Sequence, residues 1–269
     1  MPAPKAPWLL PLKKRALDCR LYGHADYVPF LVLGRSRVGS NLLRGLLNAH
    51  PQITAFGEIF RDPGCFDWDH TGYFQSSASH KLLARDPVRF LDERVFGRYP
   101  RTTGAVGFKI FYYHARDGSA SSVWQYLRER RDLRVIHLKR ENLLQTHVSR
   151  KRAALTSRWV NTTGQPDAAE SITLDYEQCL DDFRQTRAWE RQGDDYFSGH
   201  LVLPVRYEPL AADPGAEATR IQEFLGIRPH DVVPTTTRQS HQPLSRTISN
   251  YAVLKEQFTG TEWERFFTE

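Results

Sequence analysis

Two clusters of side chains in this sequence are of the types and spacings that hold anions. In RSRVGSNLL (35–43), Arg35, Ser36, Arg37 and Val38 lie between Gly34 and Gly39, and Ser40 and Asn41 follow. Gly34 and Gly39 have the G-x-x-x-x-G spacing of a phosphate loop, whose backbone N–H groups and adjoining helix N-terminus attract negative charge. A nucleoside triphosphatase needs Lys and then Ser or Thr after the second glycine, to reach the outer phosphates and hold magnesium. Ser40 and Asn41 fill those places. The loop therefore keeps an anion cradle without a triphosphate grip, and its cation sits inside the turn, where the Arg37 guanidinium can fork onto a terminal anionic group. A ligand with one phosphate and a further anion fits. A common strand-to-helix turn with a solvated Arg37 is the plainer alternative.

The second cluster is Arg140 and Ser149 in LKRENLLQTHVSRKRA (138–153). Arg140 follows a short apolar run, at the end of the strand where open α/β sheets place their ligands. Ser149 lies about two turns into the helix expected to start near Glu141 or Asn142. The pair can converge on a second phosphate, while Arg150, Lys151 and Arg152 read as a solvated basic face. Lys109, inside the apolar run AVGFKIFY (105–112), needs a partner or a ligand.

The elements that must position these residues follow the hydrophobic pattern. Residues 30–33 predict a buried strand and Ser40 or Asn41 the start of a helix, which His50 ends. Residues 105–112 predict a strand, 121–130 a helix, and 133–138 an almost wholly apolar central parallel strand. A surface helix is expected over 175–196 and a strand over 201–210, with Pro204 arguing against a central place. A helix over 214–225 closes at Gly226, and two short helices end the chain. This grammar predicts a single α/β domain, P-loop-like, with a mostly parallel central sheet flanked by helices. The domain is placed at 29–269 behind an N-terminal arm, 1–28. Residues 157–172 read as a loop. Aromatics at Phe60, Phe66, Trp68, Tyr73 and Phe74 make a wall for an acceptor pocket or cover one edge of the core.

With 269 residues and 40% hydrophobic content the chain can bury a good core. A net charge of +6 suits an anionic ligand. No aromatic-plus-basic repeat or helix-turn-helix signature points to nucleic acid. Cys19, Cys65 and Cys179 are scattered and odd in number, which reads as free thiols in a reducing compartment. No run approaches the ~18 apolar residues of a membrane span, and a cytoplasmic location is expected. Trp8, Leu9 and Leu10 beside Lys13, Lys14 and Arg15 could touch an anionic membrane as a peripheral contact, but an arm packed on the domain is the leading expectation.

Three ordered blocks resemble the sulfotransferases that use 3′-phosphoadenosine 5′-phosphosulfate (PAPS), particularly their bacterial carbohydrate-type branch. RSRVGSNLL is similar to the family's 5′-phosphosulfate loop, P-[RK]-[ST]-G-[ST]; VIHLKRENLLQTHVS (135–149) to its 3′-phosphate block; and VRYEPL (205–210), followed by FLGI, to its Y-E-x-L and F-L-G segments. PLSRTISNY and GTEWERF also look like bacterial members. The chain departs from the loop pattern at Ser36, where the family has proline, and at Val38, where it has Ser or Thr.

The resemblance implies a cytoplasmic enzyme that moves a sulfuryl group from PAPS to an acceptor hydroxyl or amine, on a glycan, lipid or small molecule, leaving adenosine 3′,5′-bisphosphate (PAP) and needing no metal. It places Arg37 on the 5′-phosphate and the moving sulfuryl group, and Arg35, Ser36, Val38, Gly39, Ser40 and Asn41 around it. Arg140 and Ser149 fall on the 3′-phosphate. Glu58 is the leading general base, with a structural carboxylate as its other reading, and His114 is the rival base. Lys109 either neutralises sulfuryl oxygens or pairs a buried carboxylate, and Arg238 and Arg246 are candidates for a clamp over the nucleotide. Two other classes stay open: a P-loop kinase or NTPase with a degenerate loop, and a non-catalytic polyanion-binding protein.

Overall fold

Strand β1, Val28–Gly34, sends Phe30 and Val32 to one face of a sheet and Leu31 and Leu33 to the other, all buried. A strand apolar on both faces needs cover on both, and the five strands of this computed structural model supply a sheet that helices sandwich. The structure describes residues 23–61, 77–156, 171–233 and 242–267. The remaining strands are β2 (Ile53–Glu58), β3 (Ala105–Phe111), β4 (Arg134–Lys139) and β5 (Val202–Arg206), all parallel, in the order β2-β3-β1-β4-β5. The chain works outward to β2, returns through β3, then crosses to β4. That reversal puts a crevice at the carboxyl ends of β1 and β4, the usual ligand position in such sheets.

On one face, α1 (Ser40–Ala49) and α8 (Pro214–Phe224) bury Leu43, Leu46, Leu47 and Ile221 against Phe30, Val32, Ile136 and Leu138. On the other, α2 (Ser77–Arg85), α3 (Pro87–Phe90, continuing as a π turn at Leu91–Val95) and α4 (Ser122–Glu129) cover Leu31, Leu33, Phe108 and Val135. Helices α5 (Leu143–Thr156) and α6 (Tyr176–Tyr196) share a third apolar cluster with the short closing helices α9 (Leu244–Thr247) and α10 (Tyr251–Phe258) and a 3₁₀ turn at Glu264–Phe267. Phe183 of α6 is its hub, within 5.6 Å of the Phe258, Trp263 and Phe266 rings.

Two segments differ from expectation. The strand expected over 201–210 stops at Arg206, and the Y-E-x-L residues form a short helix, α7 (Tyr207–Ala212). β2 and the helices between Ser77 and Val95 were not foreseen. Pro204 lies on the edge strand β5, where its missing N–H leaves no central ladder bond unmade. Gly226 closes α8 at φ 71°, with Ile227 N–H donating to Gln222 C=O in a Schellman turn.

Candidate active site

The turn after β1 is built to aim backbone outward. Arg37 adopts φ 70° and Gly39, the N-cap of α1, φ 91°. Left-handed conformations at both positions curl the loop, and the first amides of α1 are left for a ligand. Glycine is required twice by contact as well: a Cβ on Gly34 would meet Leu138 C=O at 2.7 Å, and one on Gly39 would meet the Tyr207 ring at 2.4 Å. Val38 is buried in the α1-side core, so this position anchors the turn through packing where a hydroxyl would face a ligand.

Arg37 and the second cluster meet. Arg37 Nε donates to Ser149 Oγ at 2.8 Å, and Arg140 Nη1 donates to Arg37 C=O at 3.2 Å. Arg140 is oriented by Gln145 Oε1 at 2.6 Å and by the Tyr207 ring, whose centroid lies 4.2 Å below its guanidinium. Tyr207 thus touches both Gly39 and Arg140. Its neighbour Glu208 accepts from the backbone N–H of Glu141 and of Asn142, capping the turn into α5 from across the fold. Tyr207 and Glu208 have no local feature in the sequence that assigns them these contacts.

Arg35 turns the other way. Its guanidinium bonds Asp182 Oδ1 at 2.6 Å and Thr186 Oγ1, and lies 5.0 Å from the Trp189 ring centroid, so it ties the loop to α6. The half-exposed Tyr113 stands beside this turn, its ring 5.6 Å from the Trp189 ring on α6. Arg150 is likewise no solvated residue: it pairs with Asp182, and burial, then Arg35, push its guanidinium down to about 10. Asp182 is held well below the usual carboxylate range by His147, Arg150 and Arg35, which outweigh its burial.

A bulge sets the third part of the site. Between Phe56 and Glu58 the β2–β3 register shifts, leaving Gly57 unmatched and bringing Glu58 opposite Lys109. Lys109, 2% exposed, places Nζ 3.0 Å from Glu58 Oε1 and 2.5 Å from Asn41 Oδ1. The buried ammonium that needed a partner therefore has Glu58 and, from the loop helix, Asn41. Glu58 keeps 16% of its side chain exposed, beside Asn41.

His114 is buried, and Nδ1 accepts the Phe111 N–H at 3.3 Å. Burial pushes its imidazole down to about 4, against the pull of Glu58, so at neutral pH it is uncharged with its proton on Nε2. Arg246 is exposed on α9, and His50 caps the end of α1. Arg238, the aromatics from Phe66 to Phe74, Cys19, Cys65, residues 1–22 of the arm and most of the 157–172 loop lie outside the described residues, while His24 and Tyr27 at the arm's end pair with Tyr99 and Gly97 of the domain. Cys179 is a buried free thiol, pushed up to about 12 by burial. Among the described residues, no three His, Cys, Asp or Glu side chains cluster as a metal site, and no helix is long and apolar enough to cross a membrane.

Comparison with known proteins bears on this geometry. A family model described as "Sulfotransferase family" matches residues 29–231. Nodulation protein H of Rhizobium tropici is 27% identical over 248 residues, spanning 89% of this chain and 92% of the relative. Nodulation protein H of Rhizobium meliloti strain 1021 is 26% identical over 246 residues, spanning 89% and 94%. Among solved structures, a sulfotransferase from Alicyclobacillus acidocaldarius aligns with a TM-score of 0.45 at 18% identity, over 85% of this chain and 90% of that one.

Proposed function

The chain belongs to the sulfotransferase family, and from that premise we propose that it transfers a sulfuryl group from PAPS to an acceptor hydroxyl on a glycan, lipid or small metabolite, in the cytoplasm and without a metal. The observation that carries the donor assignment is the meeting of Arg37, Arg140 and Ser149 at the carboxyl ends of adjacent strands, although Arg37 and Ser149 are 112 residues apart. Three groups that favour negative charge converge there beside loop amides, which matches a donor carrying separate 5′ and 3′ anions and no γ-phosphate. Arg37 and the N-terminal amides of α1 take the 5′-phosphosulfate, with Gly39, Ser40 and Asn41 lining it. Arg140 and Ser149 take the 3′-phosphate. Arg35, Ser36 and Val38 hold the loop in shape.

As the bond between sulfur and the bridging oxygen breaks, charge builds on the departing phosphate, and Arg37 is preorganised to stabilise it. Glu58 takes the acceptor's proton as the new S–O bond forms. His114 is a poor base in this setting, because it is buried and Nδ1, its lone-pair nitrogen, already accepts the Phe111 N–H. Its Nε2–H is a donor, suited to orienting an acceptor oxygen. Lys109 anchors Glu58 and Asn41 together, coupling the base to the donor loop.

The test is calorimetric and radiochemical. Arg37→Ala and Arg140→Ala should each weaken PAP binding by about 10- to 100-fold, the worth of a charge-assisted hydrogen bond. Glu58→Gln should bind PAP normally and lose labelled-sulfate transfer. Unchanged PAP affinity in both arginine variants would remove the donor site.

A further inference from the structure

An open cleft of about 840 Å³ lies between α5 and α6, lined by Arg35, Lys151, Arg184 and Arg191 against the carboxylates of Asp181 and Asp182, with His147. It is distinct from the donor contacts. His147 and Lys151 stand two residues either side of Ser149, and two residues turn a helix by about 200°, so they occupy the far face of α5.

The floor of this cleft has more donors than acceptors. Asp182 spends one oxygen on Arg35 and the other on both Arg150 and His147, and its backbone carbonyl accepts from Arg35 and Thr186. Buried and without a hydrogen-bond partner beyond it remain Arg35 Nε, Arg150 Nη1 and His147 Nε2. His147 is only 5% exposed. Buried polar atoms are nearly always paired, so two orphaned guanidinium N–H groups beside one saturated carboxylate mark a missing acceptor, and His147 Nε2 adds a third donor when the ring carries both protons. The charge agrees, since two guanidinium groups share one carboxylate, and Arg150 is pushed down despite it. At the rim, Arg184 and Arg191 are both exposed and seven residues apart on α6, hence on one face, with Ala188 between them.

We propose that the cleft between α5 and α6 is a second anion site, which takes a sulfate, phosphate or carboxylate group in addition to anything bound at the donor loop. Such a group would meet Arg35 and His147, which line the cleft in front of Arg150, and sit between the rim arginines. The same chemistry is offered by a free oxyanion and by an acidic group on a larger saccharide.

The experiment titrates sodium sulfate, at constant ionic strength, into Arg37→Ala/Arg140→Ala protein, which removes the donor-loop cations. One saturable site in the millimolar range is expected. Adding Arg184→Ala/Arg191→Ala, both surface changes, should weaken it at least fivefold, and His147→Gln in the same background should do likewise, with circular dichroism confirming the fold. Absence of a saturable site, or affinity unmoved by the cleft substitutions, overturns the proposal. A sulfated hexasaccharide binding at least tenfold tighter than sulfate assigns the group to a saccharide chain; equal affinity assigns it to the free ion.

Discussion

Removing Glu58 should destabilise this protein far more than removing Lys109, although each breaks the same ion pair. Lys109 is 2% exposed and Glu58 16%. Glu58→Ala leaves a buried ammonium without the carboxylate 3.0 Å away, and breaking a buried pair from one side typically costs about 3–5 kcal/mol. The ammonium can instead shed its proton, which bounds the cost: from about 10.4 to pH 7 is about 3.4 units, or about 4.6 kcal/mol. Lys109→Met leaves a carboxylate that water can reach and fills an apolar strand, so a loss within about 1 kcal/mol is expected. At about 2–4 °C per kcal/mol, a loss of about 3 kcal/mol in Glu58→Ala lowers Tm by roughly 6–12 °C. The pH dependence has a definite sign. In the variant the folded state binds the Lys109 proton less tightly than the unfolded state, so stability is recovered as pH rises towards about 10 and lost as it falls. Urea melts of both single variants and the double variant at pH 7 and pH 9.5 test this. An equal loss in Lys109→Met, or a Glu58→Ala deficit that does not shrink at pH 9.5, would refute the reasoning.

Gly39→Ala should lose about 1–3 kcal/mol in urea melts, because its Cβ meets Tyr207 at φ 91°, and Tyr207→Ala in the same chain should restore part of it. Glu208→Ala should lower stability by about 1–2 kcal/mol by leaving the Glu141 and Asn142 amides without their carboxylate, with PAP affinity by calorimetry not reduced, since Glu208 lies 4.0 Å from Arg140 and competes with a phosphate there. His114 and His137 are both pushed down to about 4, mainly by burial. Groups with depressed folded values contribute stability that is intact above their unfolded value, about 6.5, and lost as pH falls towards 4. The urea midpoint should therefore drop across that window, and a flat profile from pH 6.5 to 4.5 would count against both assignments.

The sheet was legible where sequence is unambiguous. FLVL and VIHL are too apolar for anything but buried strands, and the Gly39–Ser40 junction states where a helix begins. Arg37, Arg140 and Ser149 could be picked out because each sits at a strand end or on the helix after one. Long-range partnerships left no local mark. That Arg35 serves α6, that Asp182 gathers Arg35, Arg150 and His147, and that Glu208 holds the amides of Glu141 and Asn142 from across the fold are products of topology. β2 was missed for a related reason: ITAFGE carries a glycine and a charge where a strand pattern should be clean, and its bulge is what delivers Glu58 to Lys109. The strand end at Arg206 escaped because YEPL has no breaker before Pro209, and proline is welcome in the first turn of α7.

The outer strand of the sheet has a bearing on how molecules of this protein meet one another. Midway along it Pro204 has no amide to offer, and its carbonyl already accepts from Arg220 Nη2 at 3.1 Å. A second molecule trying to append its own strand there would find neither handle at the centre of the seam. Crowded copies are thereby steered from fibre-like accretion through this border, a safeguard set by one imino acid and one arginine.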